Sequence, residues 1–489
     1  KKPGENSSNG GGMSKAESTF SLTGETKTID LNKDYTINIA SGSKTVEGSI
    51  DDITIGSILK ITYDDSDNIS EILVNSNNTT YTGGSQTGKI ELTGENIVDS
   101  DSKSFGNDTL ECSLSDSAVL LSKDYGNAEI NNCTLSKSGD TTSNDESNFY
   151  GINSGVVAAN GGKITIKDCT INTDSDGSNG IFSTGDGSYI KADNIVINTT
   201  KNSSRGLDAT YNGTIIAENP IITTQGEHCA ALATDRGEGT IHVNGGVMKT
   251  AGSGSPGIYS TGKITAKNAS FTATGSQGAV IEGKNSITVT DCDIVGYKNN
   301  GAMLYQSFSG DSGVGTSYFN MTGGTFTAME GPMFYVTNTD AEVNLNSASL
   351  DAKSGILINC AIGRWGKEGS NGGNLKLNAY NQILNGDVMC DNISSVNMNL
   401  ENECSFTGAV NSDNTGKETK LYLDDDSTWN VTKTSYLTVI KDINDTFSNI
   451  IDNGNTIYYD SSNSENYYLE GKTITLSGGG ILTPLENNQ

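Results

Sequence analysis

The chain has 489 residues, only 33% of them hydrophobic, and 59 acidic against 31 basic side chains give a formal net charge of −28. A surface this acidic excludes nucleic acid and anionic lipid as electrostatic partners. The two histidines, His228 and His242, leave little material for imidazole catalysis or a histidine metal site.

Residues 1–20 open with KKPGENSSNGGG, a polar, glycine-rich run that reads as a flexible tether. The chain starts on Lys1 rather than Met, so a targeting segment is expected upstream, and a lipid-anchored cysteine there would suit the tether. No run of 18 apolar residues occurs, so membrane attachment is expected only through such an anchor. Residues 21–76 read as a small β-domain or N-terminal cap. DYTINIA at 34–40 alternates, and the stretch from Ile53 to Val74 reads as strand, strand, turn, strand. A solenoid end exposes unpaired strand edges and needs such a cover.

A parallel β-helix is expected over residues 77–431, and within it, from about residue 128 to about 410, one pattern returns. Residues 128–135 read AEINNCTL, 164–171 ITIKDCTI, 190–197 IKADNIVI, 215–222 IIAENPII and 241–248 IHVNGGVM. ITAKNASF at 264–271, ITVTDCDI at 287–294, FNMTGGTF at 319–326 and VNLNSASL at 343–350 follow, with several starts 23 to 26 residues apart. Apolar residues alternate within each unit, as strands with one buried face require. A second short segment follows each time, such as GIFST at 180–184, GLDAT at 206–210 or GAMLY at 301–305. Each unit therefore holds at least two strands joined by bends, with no helix between them. The expected fold is all-β: a right-handed parallel β-helix of some twelve to fourteen coils, with Ile164, Ile190 and Ile241 in equivalent inward places on different rungs.

The Asp/Asn/Gly position of the unit holds Asn132, Asp168, Asn194, Asn219, Gly245, Asn268, Asp291, Gly323 and Asn346. Glycine substitutes freely there and ligates nothing, so the position is expected to be a left-handed turn, with stacked amides as a ladder. Three of the eight cysteines, Cys133, Cys169 and Cys292, take the small-residue position beside it and are expected to be small, partly buried side chains, free thiols in preference to a Cys133–Cys169 disulfide between neighbouring coils. After about 350 the repeat loosens, and residues 432–489, with Tyr458, Tyr459, Tyr467 and Tyr468, read as a C-terminal β cap.

The segments GAMLYQSFSGDSGVG at 301–315, GPMFYVTNTDAEVNL at 331–345, GRWGKEGSNGG at 363–373 and DDDSTWNVTKTSYLTVI at 424–440 resemble adhesin-like, right-handed parallel β-helix proteins on the surface of anaerobic bacteria and gut methanogens. Some of these are labelled carbohydrate-binding, and one clostridial relative is linked to acidic sugars and calcium. The resemblance implies surface exposure and glycan binding, and it carries over no ligand residues.

Three constellations carry candidate chemistry. Arg205, Asp208, Asp235 and Arg236, from RGLD and DR on adjacent coils, would serve a calcium-dependent pectate-type lyase, which needs acidic side chains and a basic residue. Asp174, Asp176 and Asn179 on the loop DSDGSN place hard oxygen ligands at a spacing that suits Ca²⁺. Trp365, with Arg364 and Lys367 in the loop RWGKEGSNGG, offers an aromatic platform for a sugar. The leading expectation is a non-enzymatic, extracellular, surface-attached protein that presents a rigid β-helix to polysaccharide or surface glycans. A polysaccharide lyase is the alternative, and a self-associating surface-fibre subunit a second one.

Overall fold

A computed structural model describes residues 27–29, 31, 35–41, 44–53, 57–75, 91–307 and 311–485; the expected tether at 1–20 lies outside them. The chain is a parallel β-solenoid of about 16 turns, more than the repeat alone counted, because stacking continues where the sequence pattern loosens. Each turn contributes three short strands, one to each of three long parallel sheets. The first sheet has twelve strands, from Thr93–Asp99 to Asp387–Cys390, and the second fourteen, from Ser102–Gly106 to Val439–Asp442. The third has ten, from Thr109–Cys112 to Ser349–Ala352, and four more strands from Ile383–Asn385 to Ile450–Ile451 form a sheet of their own after it.

The repeated string spans two of these strands. In ITIKDCTI, Lys163–Lys167 belongs to the second sheet and Thr170–Thr173 to the third. The residue between them is left-handed: φ is 52° at Asp168, 50° at Asn194 and 71° at Gly245. Asparagine, aspartate and glycine tolerate that conformation, which explains their choice. Asn346 is a correction: it still belongs to the strand Thr339–Asn346, and the left-handed position falls on Ser347, with φ 54°. The amide ladder forms in part, since Asn132 Nδ2 donates to Asn107 Oδ1 at 2.6 Å and Asn194 Nδ2 to Asp168 Oδ1 at 3.3 Å.

Register fixes the core. Ile164, Ile190, Ile215, Ile241, Ile264 and Ile287 are successive Cα partners in the second sheet, all fully or almost fully buried. Leu135, Ile171, Ile197 and Ile222 form the matching column of the third sheet. Each buried aliphatic side chain contributes about 2 kcal/mol of transfer free energy, and the columns repeat it at every turn. The bend into the first sheet is held by buried hydroxyls. Thr173, Thr199, Thr224 and Thr250 each donate Oγ1 to a carbonyl five residues on, at 2.9, 2.8, 2.7 and 2.6 Å. All eight cysteines are buried and free.

A helix, Asn144–Tyr150, interrupts the solenoid, contrary to the expectation of none. Ser143 Oγ accepts from Glu146 N at its start, and left-handed Gly151 ends it. Among the described residues no helix is long and apolar enough to cross a membrane.

At the N-terminus a separate four-stranded sheet orders Lys44–Glu47, Thr36–Ser41, Ile69–Asn75 and Ile58–Tyr63, with its own core of Ile37, Ile39, Ile69, Ile72 and Val74. At the other end, parallel pairing runs past residue 431 through Val439–Asp442 and Thr456–Tyr459. It ends in the antiparallel pair Ile474–Thr475 with Ile481–Pro484.

Candidate functional site

The second and third sheets alternate buried and exposed residues. The first does not: Val156–Ala159, Ile181–Thr184, Leu207–Thr210, Ala279–Glu282 and Ala302–Tyr305 are buried at every position. Its outer side is therefore covered. Thr210 Oγ1 donates to Phe149 O of the helix at 2.7 Å, and Val314 and Leu73 pack against an outer cluster of Ala233, Tyr259, Val280, Met303, Tyr305 and Trp365. Leu73 belongs to the N-terminal sheet, and the 3-10 turn Ile50–Asp52 between two of its strands reaches the loop after Cys360 through Asp52 Oδ1 and Lys367 Nζ, 2.7 Å apart.

Under this cover lies a buried ionic network. Arg205 Nε sits 2.9 Å from Asp235 Oδ2, and its guanidinium also donates to Asn148 of the helix. Asp235 N donates to Asp208 Oδ1 at 3.3 Å. Arg236 turns the other way: Nε donates to Asp311 Oδ1 at 2.9 Å, and its guanidinium lies 3.7 Å from the centre of the Phe149 ring. Farther along the sheet, Tyr259 and Tyr305 both donate to Glu282 Oε2, at 2.7 and 2.9 Å. Burial first, and then the neighbouring Asp235, push the Asp208 carboxyl well above the usual carboxylate range. Burial and Asp311 raise Glu282 in the same way.

The structure thus brings Arg205, Asp208 and Asp235 together, as their spacing in sequence implies, and sends Arg236 to Asp311. Both ion pairs are buried, because the helix and the 311–316 segment lie over them. Both guanidiniums are already neutralised by a carboxylate, and a pair broken there would leave a buried charge.

Asp174, Asp176 and Asn179 do not converge. Asp174 is exposed and accepts from Thr200 Oγ1 at 2.5 Å. Asp176 Oδ1 accepts from Asn202 N at 3.1 Å. Asn179 is buried, with Oδ1 accepting from Arg205 N at 2.8 Å and Nδ2 donating to Ser147 O at 3.1 Å. Among the described residues no cluster of three or more His, Cys, Asp or Glu side chains is placed to hold a metal.

Trp365 is not the open platform its glycine-rich loop implied. It is 8% exposed, tilted against Tyr305 with ring centroids 6.1 Å apart, and the Arg364 guanidinium lies 4.2 Å from its ring centre. Asn371 Nδ2 holds the loop by donating to Trp365 O at 2.8 Å. Lys367 is engaged by Asp52. Beside Trp365 there is, however, a pocket of ≈ 540 Å³ between this loop and the outer side of the first sheet. Tyr335, Arg364, Trp365, Asn299, Asn300 and Asn359 all line it. The Asn300 carboxamide oxygen is buried there without a hydrogen-bond partner.

Sequence reasoning found Arg364 and Trp365 and missed Tyr335, Asn300 and Asn359. The available signal was the unbroken apolar run in GPMFYV, which marks a strand covered on both sides rather than one facing water. The fold and this pocket define a parallel β-solenoid with a polar, aromatic-edged cleft on one covered sheet. The chain matches no family model, no curated protein and no solved structure.

Proposed function

We propose that the chain is a non-enzymatic, adhesin-like protein of the cell surface whose pocket beside Trp365 binds a glycan. The observation that carries this reading is the lining itself. A tyrosine and a tryptophan edge supply apolar faces for a sugar ring, while Arg364 and three asparagine amides supply directional hydrogen bonds to hydroxyls. The unpartnered Asn300 oxygen is a polar group that a ligand hydroxyl would satisfy. The rigid solenoid behind the pocket holds these groups in place without a ligand, which lowers the entropic cost of binding.

A glycan array tests it, with wild type, Tyr335→Ala and Arg364→Ala at matched folded concentration. Both variants are expected to lose the bound glycans by about tenfold, with circular dichroism showing that each keeps the wild-type β-sheet content. Unchanged binding in both would remove the pocket from consideration.

The lyase reading keeps one observation in its favour, the grouping of Arg205, Asp208 and Asp235 on adjacent turns. Incubation with polygalacturonate and Ca²⁺ decides it. Unsaturated product that disappears in Arg205→Lys would make the protein an enzyme.

A further inference from the structure

On the outward side of the second sheet, four asparagines stack in register on consecutive turns. Asn344 Nδ2 donates to Asn320 Oδ1, Asn378 Nδ2 to Asn344 Oδ1 and Asn399 Nδ2 to Asn378 Oδ1, each at 2.8 Å. Asn320 Nδ2 ends the row on Thr288 Oγ1 at 3.1 Å. A groove of ≈ 370 Å³ runs along the row, edged by Tyr380, which is 49% exposed. Tyr318, also exposed, stands on the other flank of Asn320 in the same strand.

The fold does not require this row. In the preceding turns the same register position holds Thr165, Lys191, Ile216, His242, Thr265 and Thr288, and those turns stack equally well. The amides appear only where the groove is. The side chains fix one another, so their remaining hydrogen-bonding capacity is presented at a constant interval of about 4.8 Å along the axis. That interval is close to the rise per sugar of an extended, β-linked polysaccharide. The row itself is uncharged, Glu342 Oε1 is occupied in accepting from Asn344 and Asn378, at 3.2 and 3.3 Å, and the one carboxylate lining the groove, Glu401, disfavours an anionic polymer there.

We propose that this groove is a second binding surface, for an extended, uncharged polysaccharide laid along the solenoid axis, with Tyr380 stacking on a sugar ring and the asparagine row bonding successive hydroxyls. It adds a ligand class and a site to the glycan-binding reading and does not depend on the pocket beside Trp365.

The test is affinity electrophoresis of the full chain through gels containing hydroxyethyl cellulose, with calorimetry against cellohexaose. Wild type should be retarded, and the retardation should survive added salt. Tyr380→Ala and the double variant Asn344→Thr, Asn378→Thr should each weaken binding by about tenfold. Threonine already occupies this position in earlier turns, so the double variant keeps a residue the fold accepts. Three results overturn the proposal: wild type that runs freely, folded groove variants that bind like wild type, or a loss seen in Tyr335→Ala and not in Tyr380→Ala. The last would place neutral glycans in the other pocket and leave that reading standing.

Discussion

Asp442 shows how a single buried carboxyl shapes the pH response. Its Oδ1 accepts from Asn444 N at 2.9 Å and Asn449 Nδ2 at 3.0 Å, while Oδ2 is buried without a partner. Burial pushes its pKa up from 3.8 to about 6, despite those two bonds, and Asp424 and Asp425 add to the rise. The native state therefore holds this proton more tightly than the unfolded chain. Its contribution to stability is fully present below the unfolded value and is lost as pH rises toward the folded one. Asp442→Asn keeps the accepting oxygen and removes the titration. The variant should melt like wild type near pH 4 and above it beyond pH 6. A melting profile in which wild type gains on the variant with rising pH would contradict this. Asp208 and Glu282 act with the same sign, since both are raised by burial. None of this was visible in the sequence. RGLD and DR announce charges on adjacent turns, but not that Asn148, Phe149 and Asp311 arrive from distant segments to bury them.

The bend between the second and third sheets is the element the sequence displays most clearly. Asn194 occupies it with φ 50°, and Gly245 does so with φ 71°. Asn194→Val should cost about 2 kcal/mol, because a β-branched side chain is strained in the left-handed region. Asn194→Gly should stay within about 0.5 kcal/mol of wild type. Chemical denaturation of the two variants measures the difference, and equal costs would mean that the backbone there is not left-handed. This element was legible because its requirement is local: one residue, one torsion, repeated at a fixed spacing. Ser347 escaped because serine is an uncommon choice there, and the preceding Asn346 is a better match by residue type. The second and third sheets were legible through alternation. The first sheet was harder, because runs such as Ala279–Glu282 face a core on one side and the covering segments on the other. What covers them is non-local, so Tyr335 and Asn300 could not be picked out as pocket residues. The helix Asn144–Tyr150 left a sign in the long gap between 128 and 164, without showing that it lies on the ionic network.

Across the whole molecule, a formal charge of −28 is spread over a structure whose apolar residues are taken up largely by its interior columns, so most carboxylates face outward and repel one another. Repulsion of this kind works against the compact state and is screened over about 10 Å at 0.1 M ionic strength. The melting temperature should therefore climb with added NaCl and level off once the Debye length falls below the spacing between turns of the outer charges. Divalent cations separate general screening from a defined site. Asp174 and Asp176 direct their oxygens to Thr200 and Asn202, and Asn179 points inward to Arg205 and Ser147, so these three offer no common centre for Ca²⁺. CaCl₂ and MgCl₂ at equal ionic strength should accordingly raise the melting temperature alike, in wild type and in Asp174→Asn. A defined calcium site behaves differently: its stabilisation grows with the logarithm of free ligand above the dissociation constant. A calcium-specific rise of that form, absent with magnesium and abolished by Asp174→Asn, would show that the loop at 174–179 rearranges to gather its carboxylates around the ion.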